Sequence, residues 1–338
     1  MKKILLINLL ALFLFACKKE ETALAAPVTN TGTTVTDTTT GEKLIEKGTV
    51  FAKAVVMNSD YSNQVWFDLG TNSIVKTNLR TDWDLSFDCG LNDNYLYLNR
   101  ALNASVALTK SAKFTDVTSD AGLTYIYEHQ SGRKEKLAIG DVSNQRNVFI
   151  IDRGFTPSGV AIGKWKAQIT LVQNGDYFLT YSKLDGTELR SAIISKNPQY
   201  NRVAFSFNTH TGVQIEPQKT NYDLVFTQYT HVFENPPQPY SVNGVLLNSH
   251  TTEAAEEFNL DFSTITESHA QSLFYSSDLD VIGYSWKSFS LQTNTFTISG
   301  NQNFLIKDAS GNLFKIHFLD FYDENGVKGT PSFEIVRL

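Results

Sequence analysis

Six histidines, two cysteines, two methionines and fourteen tyrosines are the side chains of this 338-residue chain that could hold a metal or attack an electrophile. The cysteines, Cys17 and Cys89, are too few and too far apart for a disulfide framework or a thiolate zinc site. The histidines are His129, His210, His231, His250, His269 and His317, scattered with no fixed ligand spacing. There is no Gly-x-Ser-x-Gly elbow, no His-Glu-x-x-His, no phosphate loop and no dinucleotide fingerprint. Gly163-Lys164 lacks the upstream glycine that a phosphate loop needs. Asp320, Asp323 and Glu324 gather at Asn325-Gly326 without the spacing of an EF-hand, so they read as a solvated acidic hairpin. The chemistry on offer is binding, and the chain is expected not to be an enzyme. A formal net charge of −6 gives no basic footprint for nucleic acid. With 41% hydrophobic and 12% aromatic residues, the chain can bury a core that positions its sites.

The N-terminus carries its own chemistry. Met1-Lys2-Lys3 is a positive start, and Ile4 to Ala16 is apolar apart from Asn8, with the length of a signal-peptide core. The run Leu14-Phe15-Ala16-Cys17 resembles the lipobox of bacterial lipoproteins. That resemblance implies cleavage after Ala16, diacylation of the Cys17 thiol and acylation of its new amine. Two or three acyl chains anchor a protein far better than one. Lys18-Lys19-Glu20-Glu21 resembles the surface-export signal of Bacteroidota-type lipoproteins. The expected location is the outer membrane, lipid-anchored and facing outward. Residues 1–16 read as the signal peptide, and 17–42 as the lipidated cysteine with a Thr-rich linker.

From Val50 onward the pattern has period two. Val65, Phe67 and Leu69 alternate with Trp66, Asp68 and Gly70. Phe314, Ile316 and Phe318 alternate with Lys315, His317 and Leu319. Such runs predict half-buried strands, with hairpin turns at Asp185-Gly186, Ser310-Gly311 and Asn325-Gly326. The best helical candidate is Thr251–Phe262. The fold class is all-β, with little helix.

The halves repeat. Val65-Trp-Phe-Asp-Leu leads to Trp83-Asp-Leu-Ser-Phe87, and Val203-Ala-Phe-Ser-Phe leads to Tyr222-Asp-Leu-Val-Phe226. Trp165-Lys166 is echoed by Trp286-Lys287. Two tandem copies are expected, over 43–198 and 199–338. In each, the aromatic-Asp-Leu-x-Phe segment reads as core, and Asp84 and Asp223 as acceptors of backbone N–H bonds at a strand entry.

In that order, these features resemble the HmuY family of surface lipoproteins. Tyr240-Ser-Val-Asn-Gly-Val-Leu-Leu-Asn248, Asn303 to Tyr322 and Lys328-Gly-Thr-Pro-Ser-Phe-Glu334 extend the resemblance over most of 199–338 and, more loosely, 50–196. It implies a duplicated, HmuY-like β fold that clamps haem and delivers it to a TonB-dependent outer-membrane receptor, with haem or haemoproteins as partners. It also implies an iron ligand shortly after the tryptophan. In this chain that position is Leu291.

Haem iron takes His, Met, Cys or Tyr. Met57 is the only methionine left after processing, and Cys89 reads as a small buried residue. His317 reads as a surface strand residue and His210 as part of a solvated turn. The ligand candidates are therefore His269, in the interval where the family places a ligand, His231 after the Tyr-Asp-Leu-Val-Phe strand, His129 in the first copy, and His250. Tyr275 is a phenolate alternative. The competing reading is a surface binding or adhesion module that kept the frame and lost haem.

Overall fold

The computed structural model describes residues 35–36, 43–248 and 250–338. The signal peptide, Cys17 and most of the linker lie outside the described residues. The chain from 43 onward folds as two β-sandwiches sharing a seam, so the fold is β-dominated as its alternation predicts.

The strands form where alternation separates a wet face from a dry one. In Tyr177–Ser182, the side chains of Tyr177, Leu179 and Tyr181 are buried while Phe178 and Thr180 are half-exposed. The first sandwich packs a five-stranded sheet on a six-stranded one. The five-stranded order is Gly140–Asp141, Tyr95–Leu98, Leu85–Asp88, Arg202–Ser206, Thr211–Val213. The six-stranded order is Arg190–Ile194, Tyr177–Ser182, Lys164–Leu171, Phe149–Asp152, Ser105–Leu108, Ile126–Tyr127. Leu85, Phe87, Phe149, Trp165, Tyr177 and Phe205 meet between them.

The second sandwich packs a four-stranded sheet on a five-stranded one. The four-stranded order is Pro237–Leu247, Leu224–Glu234, Asn63–Asp68, Ser73–Leu79. The five-stranded order is Glu253–Glu257, Asn303–Lys307, Leu313–Tyr322, Lys328–Arg337, Phe51–Ala54. Its core includes Phe67, Phe226, Trp286, Phe304, Phe318 and Phe333.

The sheets do not divide at 198/199. Asn63–Asp68, from the first half of the chain, pairs with Leu224–Glu234 in the second sandwich. Arg202–Ser206, from the second half, pairs with Leu85–Asp88 in the first. The first half thus gives Phe51–Ala54, Asn63–Asp68 and Ser73–Leu79 to the second sandwich, and the second half gives Arg202–Ser206 and Thr211–Val213 to the first. Trp66, Ala204, Tyr222, Val225, Tyr229 and Leu246 pack along the seam.

Three local expectations change. Thr251–Phe262 holds no helix: Glu253–Glu257 is an edge strand, because Ala254 and Ala255 find a dry face against Asn303–Lys307. The α-helix follows it, at Glu267–Gln271. Lys315 is buried rather than outward, its ammonium held by the carbonyls of Phe262 and Ile265. Trp165 and Trp286 are both buried, stacked on Phe207 and Phe318 respectively. Trp165 lies within a strand of the large sheet, however, while Trp286 precedes the separate hairpin Lys287–Ser290/Thr295–Ile298.

Candidate functional site

The long hairpin Leu224–Glu234/Pro237–Leu247 runs past the end of its sheet. Its third strand, Asn63–Asp68, pairs only with Leu224, Val225 and Phe226. The free part carries exposed aromatics, Phe233 and Tyr240. Gly244 lets a second segment approach it, since a Cβ there would collide with the Gly283 carbonyl oxygen. Val245 and Gly283 exchange backbone hydrogen bonds at 2.9 and 3.0 Å, which brings Tyr284 against the hairpin.

Between this hairpin and Lys287–Ser290/Thr295–Ile298 lies a groove of about 440 Å³. Tyr61, Tyr240, Tyr284, Phe289 and Phe296 form its aromatic lining, and Lys287 and Lys328 its cations. Pockets that take flat organic ligands have this size and character, apolar with a few polar groups. The apolar-lined cavity in the seam, bounded by Trp66, Trp83 and Tyr222, holds only about 70 Å³, enough for a water or two and far too small for a macrocycle.

His231 stands beside the groove. It is the cross-strand neighbour of Tyr240, and its ring meets Tyr284 edge-on at 5.3 Å and Phe233 at 4.9 Å. Its Nδ1 is buried with no hydrogen-bond partner. Burial pushes the imidazolium down, Asp280 works against that shift, and the nearby His129 adds to it. The ring is therefore neutral near pH 7 and keeps a lone pair free.

Tyr61 and Tyr284 are held as neutral phenols. Burial, then the charge of Tyr322, pushes Tyr61 up to about 12. Burial, then Asp280, raises Tyr284. They suit stacking better than phenolate ligation. Lys287 is buried beneath the groove, its ammonium donating to the Asn243 carbonyl and facing the rings of Trp286 at 4.0 Å and Phe321 at 4.6 Å. Burial pushes it down to about 7.

The other candidate histidines lie elsewhere. His129 Nδ1 is 2.8 Å from Ser131 Oγ, and its Nε2 is 3.4 Å from Glu234 Oε1 on the hairpin tip. It shares electrostatics with His231 but is occupied by these partners. His269 caps nothing in the groove: its Nε2 is 2.5 Å from Glu257 Oε2, at the outer edge of the second sandwich. His250 lines a separate cavity with Tyr97, Lys134 and Arg202. No described contact joins His269 to His231. Tyr275 donates to the Ala270 carbonyl on the helix, also away from the groove. Leu291 is almost fully exposed at the turn that follows Lys287–Ser290. The groove's Tyr61, Tyr284, Phe296 and Lys328 escaped the sequence reading, because nothing in their local spacing sets them apart from core aromatics and surface lysines. Lys287 was visible only as half of the repeated Trp-Lys landmark.

The fold is thus two β-sandwiches with an aromatic groove on the flank of one. The chain belongs to the HmuY family, whose description, HmuY protein, it matches over residues 60–335. Among solved structures it resembles apo PinO from Porphyromonas gingivitis, at 10% identity over 86% of this chain and 97% of that one, with a TM-score of 0.29. It also resembles the apo HmuY analog TFO of Tannerella forsythia, at 11% identity over 86% of this chain and 97% of that one, with a TM-score of 0.24. No curated protein sequence matches it. Among the described residues no helix is long and apolar enough to cross a membrane.

Proposed function

We propose that this is a lipid-anchored surface protein that captures haem in the groove between the two hairpins and hands it to a TonB-dependent outer-membrane receptor. The observation that carries the reading is an aromatic groove of about 440 Å³ with the neutral imidazole of His231, whose buried Nδ1 has no hydrogen-bond partner, beside it. Membership of the HmuY family supports it. His231 is the first choice of axial ligand among His231, His129, His250 and His269. The macrocycle would supply the iron, and the chain's tyrosines and phenylalanines would exclude water from its faces. We read the two sandwiches as a duplication, with copies over 43–198 and 199–338 that exchange their N-terminal strands.

Leucine at position 291 favours the second reading, a surface binding module on the same frame that has lost haem. Titration of the soluble 43–338 fragment with haemin separates the two. A sharp Soret band that saturates at a fixed stoichiometry supports capture. A broad, non-saturating spectrum like that of haemin on an unrelated β protein leaves the binding-module reading.

A further inference from the structure

The groove holds two cations and no acid. Tyr61, Tyr240, Tyr284, Phe289, Phe296 and the polar residues Ser241, Asn243 and Ser288 complete its lining beside Lys287 and Lys328. Lys328 is exposed at the rim, its ammonium 5.4 Å from the centre of the Tyr61 ring. Lys287 lies deeper. From every side it meets only neutral groups: Asn243 on the long hairpin, Trp286 beside it in the chain, Phe296 on its own hairpin and Phe321 on the five-stranded sheet of the second sandwich. Among the described residues neither lysine forms an ion pair. A buried ammonium without a counter-ion is costly; Lys166 and Lys315 are buried in the same way on backbone carbonyls, but Lys287 alone of the three lines the groove, which makes it a functional-site candidate.

We propose that Lys287 and Lys328 are the carboxylate-recognising pair of this groove, so that its occupant is a flat macrocycle bearing at least two carboxylates, bound with Lys287 protonated. This rests on the haem reading and sharpens it, because it makes the acidic side chains of the macrocycle, rather than its metal, the feature that the groove selects. The ammonium of Lys287 has one donor committed to the Asn243 carbonyl and two left for a carboxylate oxygen. With its pKa near 7 in the empty groove, a bound anion would draw a proton onto it. Capture is then favoured below pH 7 and weakened above it. Lys328, exposed and ordinary in its surroundings, would add attraction that salt screens.

The test compares haemin with haemin dimethyl ester on the soluble 43–338 fragment at pH 6 and pH 8.5. Free carboxylates should bind at least about tenfold tighter than the ester at pH 6, a gap that narrows at pH 8.5. Lys287→Met should remove most of the preference and all of its pH dependence while still binding the ester. Lys328→Gln should reduce the preference and its salt dependence and keep the pH dependence. If Lys287→Met fails to fold, Lys328→Gln and the wild-type ester comparison still decide. Haemin and its ester binding alike, or a preference untouched in Lys287→Met, overturns the proposal and leaves haem capture intact. Failure of both ligands to bind overturns haem capture and this pair together.

Discussion

Asp84 and Asp223 make the same two hydrogen bonds in the two sandwiches, each to a strand from the other half of the chain. The Asp84 backbone N–H donates to the Phe205 carbonyl, and its Oδ2 accepts from the Phe207 N–H at 2.7 Å. The Asp223 N–H donates to the Phe67 carbonyl, and its Oδ2 accepts from the Leu69 N–H at 2.9 Å. Each side chain thus fastens the exchanged strand where it leaves the sheet. The surroundings then differ. Asp84 is in a buried ion pair with Arg153, at 2.6 Å, whereas Asp223 has no cation and faces Asp68.

Asp84→Asn should therefore be severe. It leaves the Arg153 guanidinium buried without a counter-ion, with only the neutral oxygens of the new amide and of Asn208 as side-chain partners. Breaking a buried pair by removing one member costs about 3–5 kcal/mol. Urea unfolding of the 43–338 fragment at pH 7 measures it. A loss under about 1 kcal/mol would mean that water reaches Arg153 and that the pair does little for stability.

Asp223→Asn should behave in the opposite sense. Burial, then the charge of Asp68, pushes Asp223 up to about 8, so the folded protein keeps its proton where the unfolded chain has lost it. A raised folded-state pKa favours the fold below the unfolded value near 4, and this contribution is lost as pH rises from there to about 8. The slope in that window is about −1.4 kcal/mol per pH unit for one proton. An amide keeps the geometry: its oxygen can accept from Leu69, and its nitrogen can donate to Thr252. The variant should gain on the wild type as pH rises from 5 to 8. Parallel stability curves for the two proteins would show that Asp223 is ionised in the fold.

These two acids also show how far the sequence could be read. Their role as acceptors at a strand entry followed from Trp83-Asp-Leu-Ser-Phe87 and Tyr222-Asp-Leu-Val-Phe226, because alternation puts the acid off the core face. Turns at Gly186, Gly311 and Gly326 followed equally, each glycine taking the positive φ that those sites require. The partner strand was not legible. Both copies carry the same local pattern, so Val65–Leu69 fits either sheet, and only packing along the seam decides. Ala254 and Ala255 misled for a related reason: small residues among glutamates suit a helix until a neighbouring strand offers them a dry face. The groove is the least legible part. Its lining comes from five distant segments, and Tyr240 or Phe289 reads as one more strand aromatic until the hairpins are set side by side.

Anchoring is checked without the fold. Cys17 lies outside the described residues, so the expectation rests on the lipobox resemblance alone. Cys17→Ser should abolish lipid attachment, since a hydroxyl cannot be the acyl-thioether acceptor, and full-length protein should leave the outer-membrane fraction or remain unprocessed. Metabolic labelling with a fatty-acid probe gives the same answer chemically. Wild-type fractionation and labelling of the variant would remove the lipoprotein reading.

The iron ligand is the sharpest remaining question, and the four histidines differ enough to order them. A ligand needs a free lone pair, a neutral ring and a place at the groove. His269 fails on the first count, with its Nε2 bound to Glu257, and on the third. His250 fails on the third. His129 has both nitrogens engaged, by Ser131 and by Glu234. His231 meets all three conditions, with Nδ1 free, the imidazolium disfavoured by burial, and Tyr240 and Tyr284 as neighbours. In haemin titrations of the 43–338 fragment, His231→Ala should weaken binding at least about tenfold and change the spin state seen in the visible bands. His269→Ala and His250→Ala should leave both unchanged. His129→Ala should act weakly, through the Glu234 contact at the hairpin tip. Tyr284→Phe should cost affinity by loss of its hydroxyl without altering the spin state, because the raised pKa of that phenol keeps it from serving as a phenolate. Unchanged spectra for His231→Ala beside a collapse for His269→Ala would move the haem site to the helix Glu267–Gln271 and away from the groove.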